Sequence, residues 1–189
     1  MCMGVMTRLV KWALTSLLLS RSVTSSSLRP QVSGRHVLQF DGGARGNPGL
    51  GGAGAVIFST DDETEDDGKG LKEIWSGYWY LGTCTNNQAE YTGLIKGLQK
   101  GLEMDLPALH VEGDSELVIK QLLGSYKCKS QNLIPLHDMA SKLIARYPRD
   151  PGALTFKHIP RALNSRADDL SNIAMDSKES SDGSELPKI

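Results

Sequence analysis

The sequence predicts an α/β fold, a mixed sheet with helices packed against it. Three features lead there. Alternating apolar runs follow one another closely after residue 35, helical and strand-like patterns then interchange, and the 189 residues are 39% hydrophobic and 23% charged, an ordinary globular balance. The length suits one domain with an appendage.

Residues 36–40, 52–58 and 73–81 read as three successive strands. The acidic run at 61–67, followed by Gly68 and Gly70, reads as a solvated loop between the second and third. Residues 85–104 place Tyr91, Leu94, Ile95, Leu98 and Leu102 at helical spacing, with Thr85 or Asn86 as the cap. That helix also carries Gly93, Gly97 and Gly101 four apart, each costing about 1 kcal/mol relative to Ala. A glycine row of this kind is best tolerated where the helix lies very close to another element. A strand at 109–113, helices at 115–123 and 133–147, a strand at 154–158 and a helix at 165–175 complete the order βββαβααβα. Trp75, Tyr78 and Trp79 fall in an alternating strand and read as core or sheet-surface residues rather than base-stacking platforms.

Charge divides the chain. Residues 1–40 hold five bases and no acid, whereas six of the 22 acids lie at 61–67. Without that run and the segment after Asp176, the body has 14 bases against 13 acids, so bulk charge alone argues for no nucleic-acid footprint, although local clusters still count. The basic, serine-rich, acid-free segment 1–33 is expected to be a presequence for mitochondrion or plastid; secretion and an untargeted extension are the alternatives. Its apolar patch, broken by Thr15 and Ser16, is shorter than the roughly 20 residues a membrane span needs, so no span is expected. The folded domain is expected over 34–176, and 177–189 as a disordered acidic tail. Three cysteines without a C-x-x-C pair support neither a disulfide framework nor a thiolate zinc site.

Four carboxylates stand where polypeptide geometry can bring them together. Asp41 is expected to end the first strand and Asp114 the fourth, while Glu90 and Asp168 fall in the first turns of two helices. Each alone has a plainer reading, as a turn residue or as an acid favoured at a helix N-terminus. Gathered in one crevice, they need a cation, because two carboxylates about 5 Å apart repel by roughly 3 kcal/mol at an effective dielectric near 20. Hard oxygen ligands select Mg²⁺ or Mn²⁺. Two such ions suit the hydrolysis of a phosphodiester by in-line attack of water.

The residues around these acids carry a resemblance. Asp41-Gly42-Gly43-Ala44-Arg45-Gly46-Asn47-Pro48-Gly49 with Gly51-Gly52-Ala53-Gly54-Ala55, then Thr85-Asn86-Asn87-Gln88-Ala89-Glu90, Gly113-Asp114-Ser115, and the stretch from His158-Ile159-Pro160-Arg161 through Asn164 and Asp168-Asp169-Leu170 to Ala174 resemble a type 1 ribonuclease H over about residues 36–176. The resemblance implies the ribonuclease H-like fold, with a five-stranded sheet in the order 3-2-1-4-5 and helices on both faces. It implies hydrolysis of the RNA strand of RNA/DNA hybrids with two Mg²⁺ (Mn²⁺ as substitute), leaving 3′-hydroxyl and 5′-phosphate ends.

Residue by residue, the catalytic and metal-holding acids fall on Asp41, Glu90, Asp114 and Asp168, with Asp168 rather than Asp169 in register, and the mobile-loop histidine falls on His158. Asn47, Asn86 and Asn87 fall where the family approaches the minor groove, and Thr85 where it holds a DNA phosphate. Amides that both donate and accept suit a 2′-hydroxyl, the group that separates RNA from DNA locally. The connection at 124–132 is short, so the basic handle of some members is reduced to Lys127 and Lys129, and no separate hybrid-binding domain is expected before Asp41. Grip would rest on a few cations, Arg45, Lys127, Lys129, Lys157 and Arg161, and the chain is expected to be a monomer. A binding module without catalysis and a nuclease with another nucleic-acid substrate are the competing readings.

Overall fold

In the computed structural model the described residues are 35–60 and 71–183. The acidic run at 61–67 and the segment 1–33 lie outside them. Strands β1 (Arg35–Gly46), β2 (Gly49–Thr60) and β3 (Leu71–Cys84) form an antiparallel meander, and β4 (Leu109–Gly113) and β5 (Leu154–His158) add in parallel beside β1, giving the order β3-β2-β1-β4-β5. The helices are α1 (Asn86–Glu103), α2 (Glu116–Leu122), α3 (Ile134–Ile144) and α4 (Ser165–Ser177), with a 3-10 turn at Arg161–Leu163 before α4.

The period-two alternation of the strands creates two cores. Leu38, Phe40, Ala55, Ile57 and Val111 meet Tyr91, Leu94 and Leu98 of α1, and α2 and α3 close that side with Val118, Ile119, Ala140 and Leu143. Val56 and Tyr78 point the other way, against Ala167, Leu170 and Ala174 of α4. Trp75 and Tyr78 are buried, and Trp79 packs beside the first core with the Lys96 ammonium over its ring. These three aromatic residues are therefore structural, as their alternation suggests.

The first three strands run further than their apolar stretches. Asp41 is expected to end β1, yet β1 continues to Gly46 and Asp41 sits inside it, opposite Gly54. The reason is that Gly42, Gly43, Gly49 and Gly51 lie outside the apolar runs, as glycine carries no side chain to mark a strand face, while the ladder passes through them. What stops at this point is the parallel pairing, whose last rung is Phe40 with Gly113. Asp41 and Asp114 are each the next residue beyond that rung, side by side at the mouth of the crevice between β1 and β4.

The tail expectation also needs correction. Backbone N–H and C=O of Ser181 exchange hydrogen bonds with Tyr78 at 2.8 Å, Ser180 Oγ accepts from Tyr80 N–H at 2.9 Å, and Trp75 Nε1–H donates to the Asp182 carbonyl at 2.6 Å. Composition marks this segment as too polar to fold, but the outer edge of β3 offers unpaired backbone groups that a polar segment satisfies as well as an apolar one. Residues 184–189 lie outside the described residues.

Candidate active site

Four elements deliver the acids. β1 carries Asp41, the end of β4 Asp114, the second turn of α1 Glu90 and the first turn of α4 Asp168. Helix α1 starts on a reciprocal cap, in which Gln88 N–H donates to Thr85 Oγ1 at 3.4 Å and Thr85 N–H donates to Gln88 Oε1 at 3.0 Å. That cap fixes where Glu90 falls in the helix. Helix α4 rests on β2, where a methyl on Gly54 would collide with the Ala167 carbonyl and stand 2.7 Å from Leu170 Cβ.

Asp41, Glu90 and Asp114 each present an oxygen within 4.8 Å of the other two. Asp41 is only 5% exposed, and burial, reinforced by the charges of Asp114 and Asp168, pushes its carboxyl up to about 6 against the opposing hydrogen bond from Ser171 and the charge of Arg161. Glu90 is raised well above the usual range by burial first and by Asp41 and Asp114 second. Its Oε2 is buried and has no hydrogen-bond partner among the described residues. Asp114 accepts from Asn164 Nδ2 at 2.8 Å, and the same amide donates to the Phe40 carbonyl.

Asp168 lines the same cleft, of about 330 Å³, but stands outside the trio. It is ion-paired with Arg161 and accepts from Asn172 Nδ2 at 3.2 Å. A buried, orphaned carboxylate oxygen beside two more acids is costly unless a cation joins it. The donor set, all carboxylate oxygen, fits a hard divalent ion.

The other expected residues divide. Asn86 Oδ1 accepts from Ala44 N–H at 2.8 Å, and Asn47 Oδ1 accepts from Asn86 N–H at 3.2 Å, so these two tie the β1–β2 turn to the start of α1. Asn87 is partly exposed next to them. Arg45 and Asn86 line the acidic cleft, with Arg45 bonded to Asp176 of α4 at 2.6 Å. His158 is exposed, and its Nε2 lies 3.2 Å from the Asp114 carbonyl oxygen. Lys127 and Lys129 are exposed on the connection between α2 and α3 and do not line this cleft. Lys157 pairs with Glu112 at 3.9 Å.

Ser171 and Asn164, which touch Asp41 and Asp114, are absent from the residues the sequence singles out for this site, and the pairing of Arg161 with Asp168 is visible only in the structure. A signal existed for Ser171: it stands three residues after Asp168 and so shares its helix face. Asn164 had a weaker one, as a cap residue directly before the helix.

A family model described as "Reverse transcriptase-like" matches residues 39–174. A ribonuclease HI of Halobacterium salinarum is 36% identical over 149 residues, covering 79% of this chain and 68% of that protein. The chain belongs to the type 1 ribonuclease H family. The bifunctional protein Rv2228c of Mycobacterium tuberculosis is 39% identical over 140 residues, which are 74% of this chain and 35% of that protein, so the chain spans about a third of that relative. LC11-RNase H1, solved in complex with an RNA/DNA hybrid, superposes with a TM-score of 0.64 at 36% identity, covering 76% of this chain and 99% of that one. The strand order and the helices on both faces are those of the family.

Proposed function

We propose that this chain is an endoribonuclease that hydrolyses the RNA strand of RNA/DNA hybrids, leaving 3′-hydroxyl and 5′-phosphate ends. The observation that carries the reading is the convergence of Asp41, Glu90 and Asp114 within 4.8 Å in a cleft that Asp168 also lines. The hybrid seen with LC11-RNase H1 supplies the substrate class, which this reading extends to the present chain.

On this reading Asp41, Glu90, Asp114 and Asp168 hold Mg²⁺ or Mn²⁺, two ions in the substrate complex, and the bound cation supplies Lewis acidity and lowers the pKa of water. The protein's own contribution is placement. Burial of Asp41 and Glu90 excludes bulk water from one side of the cleft and makes both acids poor resting anions, so a cation is strongly drawn to them. His158, exposed beside the end of β4, moves a proton at the leaving oxygen. Asn47, Asn86 and Asn87 read the 2′-hydroxyls, Thr85 holds a phosphate of the DNA strand, and Arg45, Lys127 and Lys129 supply charge along the backbone. The reading includes a monomeric enzyme and import into mitochondrion or plastid through residues 1–33.

The experiment is cleavage of matched hybrid, double-stranded RNA and double-stranded DNA, each with Mg²⁺ and with chelator. Hybrid cleavage that needs Mg²⁺ is expected. Equal cleavage of the three duplexes, or hybrid cleavage persisting in chelator, overturns the assignment.

A further inference from the structure

Ser171 lies one turn beyond Asp168 on α4, with its side chain in the interior at 1% exposure. Its Oγ donates to Asp41 Oδ2 at 2.6 Å and lies 2.9 Å from the Asp168 carbonyl oxygen. A helical serine ordinarily bonds back to a carbonyl of its own preceding turn. Here it has one hydrogen and two acceptors, and the charge-assisted bond to a carboxylate is the stronger. The hydroxyl is also fixed in space. A Cβ on Gly52 would collide with the Ser171 carbonyl oxygen, and one on Gly54 would stand 2.7 Å from the Ser171 nitrogen, so this turn of α4 is pressed onto β2 with no slack.

We propose that Ser171 is a positioning residue of the cation site: by holding Oδ2 it fixes the plane of the Asp41 carboxylate and leaves Oδ1 for the cation, so that the helix carrying Asp168 also sets Asp41. The inference rests on the reading of Asp41 as a cation ligand. The bond holds a nearly buried carboxylate that Asp114 and Asp168 repel. It also makes α4 a single rigid element governing two of the four acids.

The test is a calorimetric Mn²⁺ titration of the purified full chain without nucleic acid, for the wild type, Ser171→Ala and Asp41→Asn, with urea melts in chelator alongside. Ser171→Ala is expected to bind Mn²⁺ roughly 10- to 100-fold more weakly, the range for losing an outer partner of a metal ligand, while its melt in chelator falls only modestly, as the loss of one hydrogen bond to a buried carboxylate requires. The Mn²⁺ concentration for half-maximal hybrid cleavage should rise in parallel. A merely structural role would lower the melt and leave Mn²⁺ affinity alone. Ser171→Cys keeps the volume with only a weak donor, and it decides the matter in the same titration if the alanine variant fails to fold. Undiminished Mn²⁺ affinity in the Ser171 variants, with binding lost in Asp41→Asn, overturns the role of Ser171 and leaves the cation-site reading intact. Undiminished affinity in Asp41→Asn as well overturns that reading and the proposal with it.

Discussion

Gly93 of α1 faces the backbone carbonyl of Asp41 so closely that a methyl group on it would stand 2.6 Å from that oxygen, and 2.8 Å from the carbonyl of Gly54. Both obstacles are backbone, so no rotamer change relieves them. Gly93→Ala is therefore expected to push α1 off the sheet, and with it Glu90, three residues earlier on the same face. Alanine returns about 1 kcal/mol of helix propensity, while overpacking costs about 1–3 kcal/mol, for a net loss of up to about 2 kcal/mol. Urea unfolding measures it, and hybrid cleavage should fall further than the lost stability explains. An unchanged midpoint with full activity would mean that the contact between α1 and β1 is slack.

Asp41→Asn should abolish hybrid cleavage and yet stabilise the cation-free protein at neutral pH. The carboxyl of Asp41 is raised from 3.8 to about 6, so its neutral form fits the native site better than its anion. For a group raised in the folded state, the stabilisation is complete below the unfolded value near 3.8 and is lost as pH rises through about 6. The lost amount is about 3 kcal/mol at most, from a shift of about two units. In chelator the variant should therefore gain on the wild type between pH 4 and pH 7, and denaturant melts at those two pH values measure the gap. Glu73 works the other way, since Arg166 and Ser76 hold it below its usual range and its contribution fades as pH falls, but it is common to both proteins and cancels in the comparison. A gap that does not change with pH would contradict the burial argument.

The element order was legible because periodicity reports burial, and both cores obey it: Leu94 and Leu98 on α1, Ala55, Val56 and Ile57 alternating along β2. The four acids were legible because each sits in a run of neighbours peculiar to the family. What sequence alone hid was decided by long-range contact. Gly42 stands outside the apolar runs until the α1 backbone at Ala89 and Glu90 is seen to need the space, and nothing in the strand run shows that Gly52 must clear the Ser171 carbonyl of α4. Ser181 looks disordered until the edge of β3 is seen beside it. Arg161 looks like a spare cation until Asp168 is found next to it, seven residues on but across a 3-10 turn.

His158→Ala should slow turnover roughly ten- to a thousandfold, within or just below the usual range for a positioned proton-transfer group, without altering Mn²⁺ affinity. The ring touches the Asp114 backbone through Nε2 rather than any carboxylate of the trio, and it is exposed, so its removal leaves the donor set whole. Single-turnover cleavage paired with an Mn²⁺ titration separates the outcomes. A parallel fall in Mn²⁺ affinity would make His158 a ligand instead.

Residues 1–33 should be dispensable for activity and sufficient to carry a fluorescent reporter into an organelle, given five bases and no acid over residues 1–40. Microscopy of the fusion, together with an assay of the protein lacking them, checks both halves. A reporter that stays in the cytosol contradicts the targeting half, and loss of cleavage contradicts the other.

Grip on the hybrid should depend on which cations are already engaged. Arg45 is tied to Asp176 at 2.6 Å, Arg161 to Asp168, and Lys157 lies 3.9 Å from Glu112, whereas Lys127 and Lys129 carry no ion pair among the described residues. Each phosphate neutralised adds about 0.7 to 0.9 to the slope of log affinity against log salt, so three to five contacts give roughly −2 to −4 for the wild type. The Arg45–Asp176 pair is half-exposed on both sides, where such pairs contribute about 0–1 kcal/mol to stability. Asp176→Asn should thus leave the fold untouched while freeing a guanidinium at the rim of the acidic cleft. Hybrid affinity should then rise a few fold at low salt, with the slope steeper by about one contact, and Arg45→Ala should reverse both changes and make Asp176→Asn silent when the two are combined. Fluorescence anisotropy with a labelled hybrid over a salt series, in chelator so that nothing is cleaved, reads affinity and slope together. An Asp176→Asn protein whose affinity and slope match the wild type, with Arg45→Ala equally silent, would show that Arg45 reaches no phosphate.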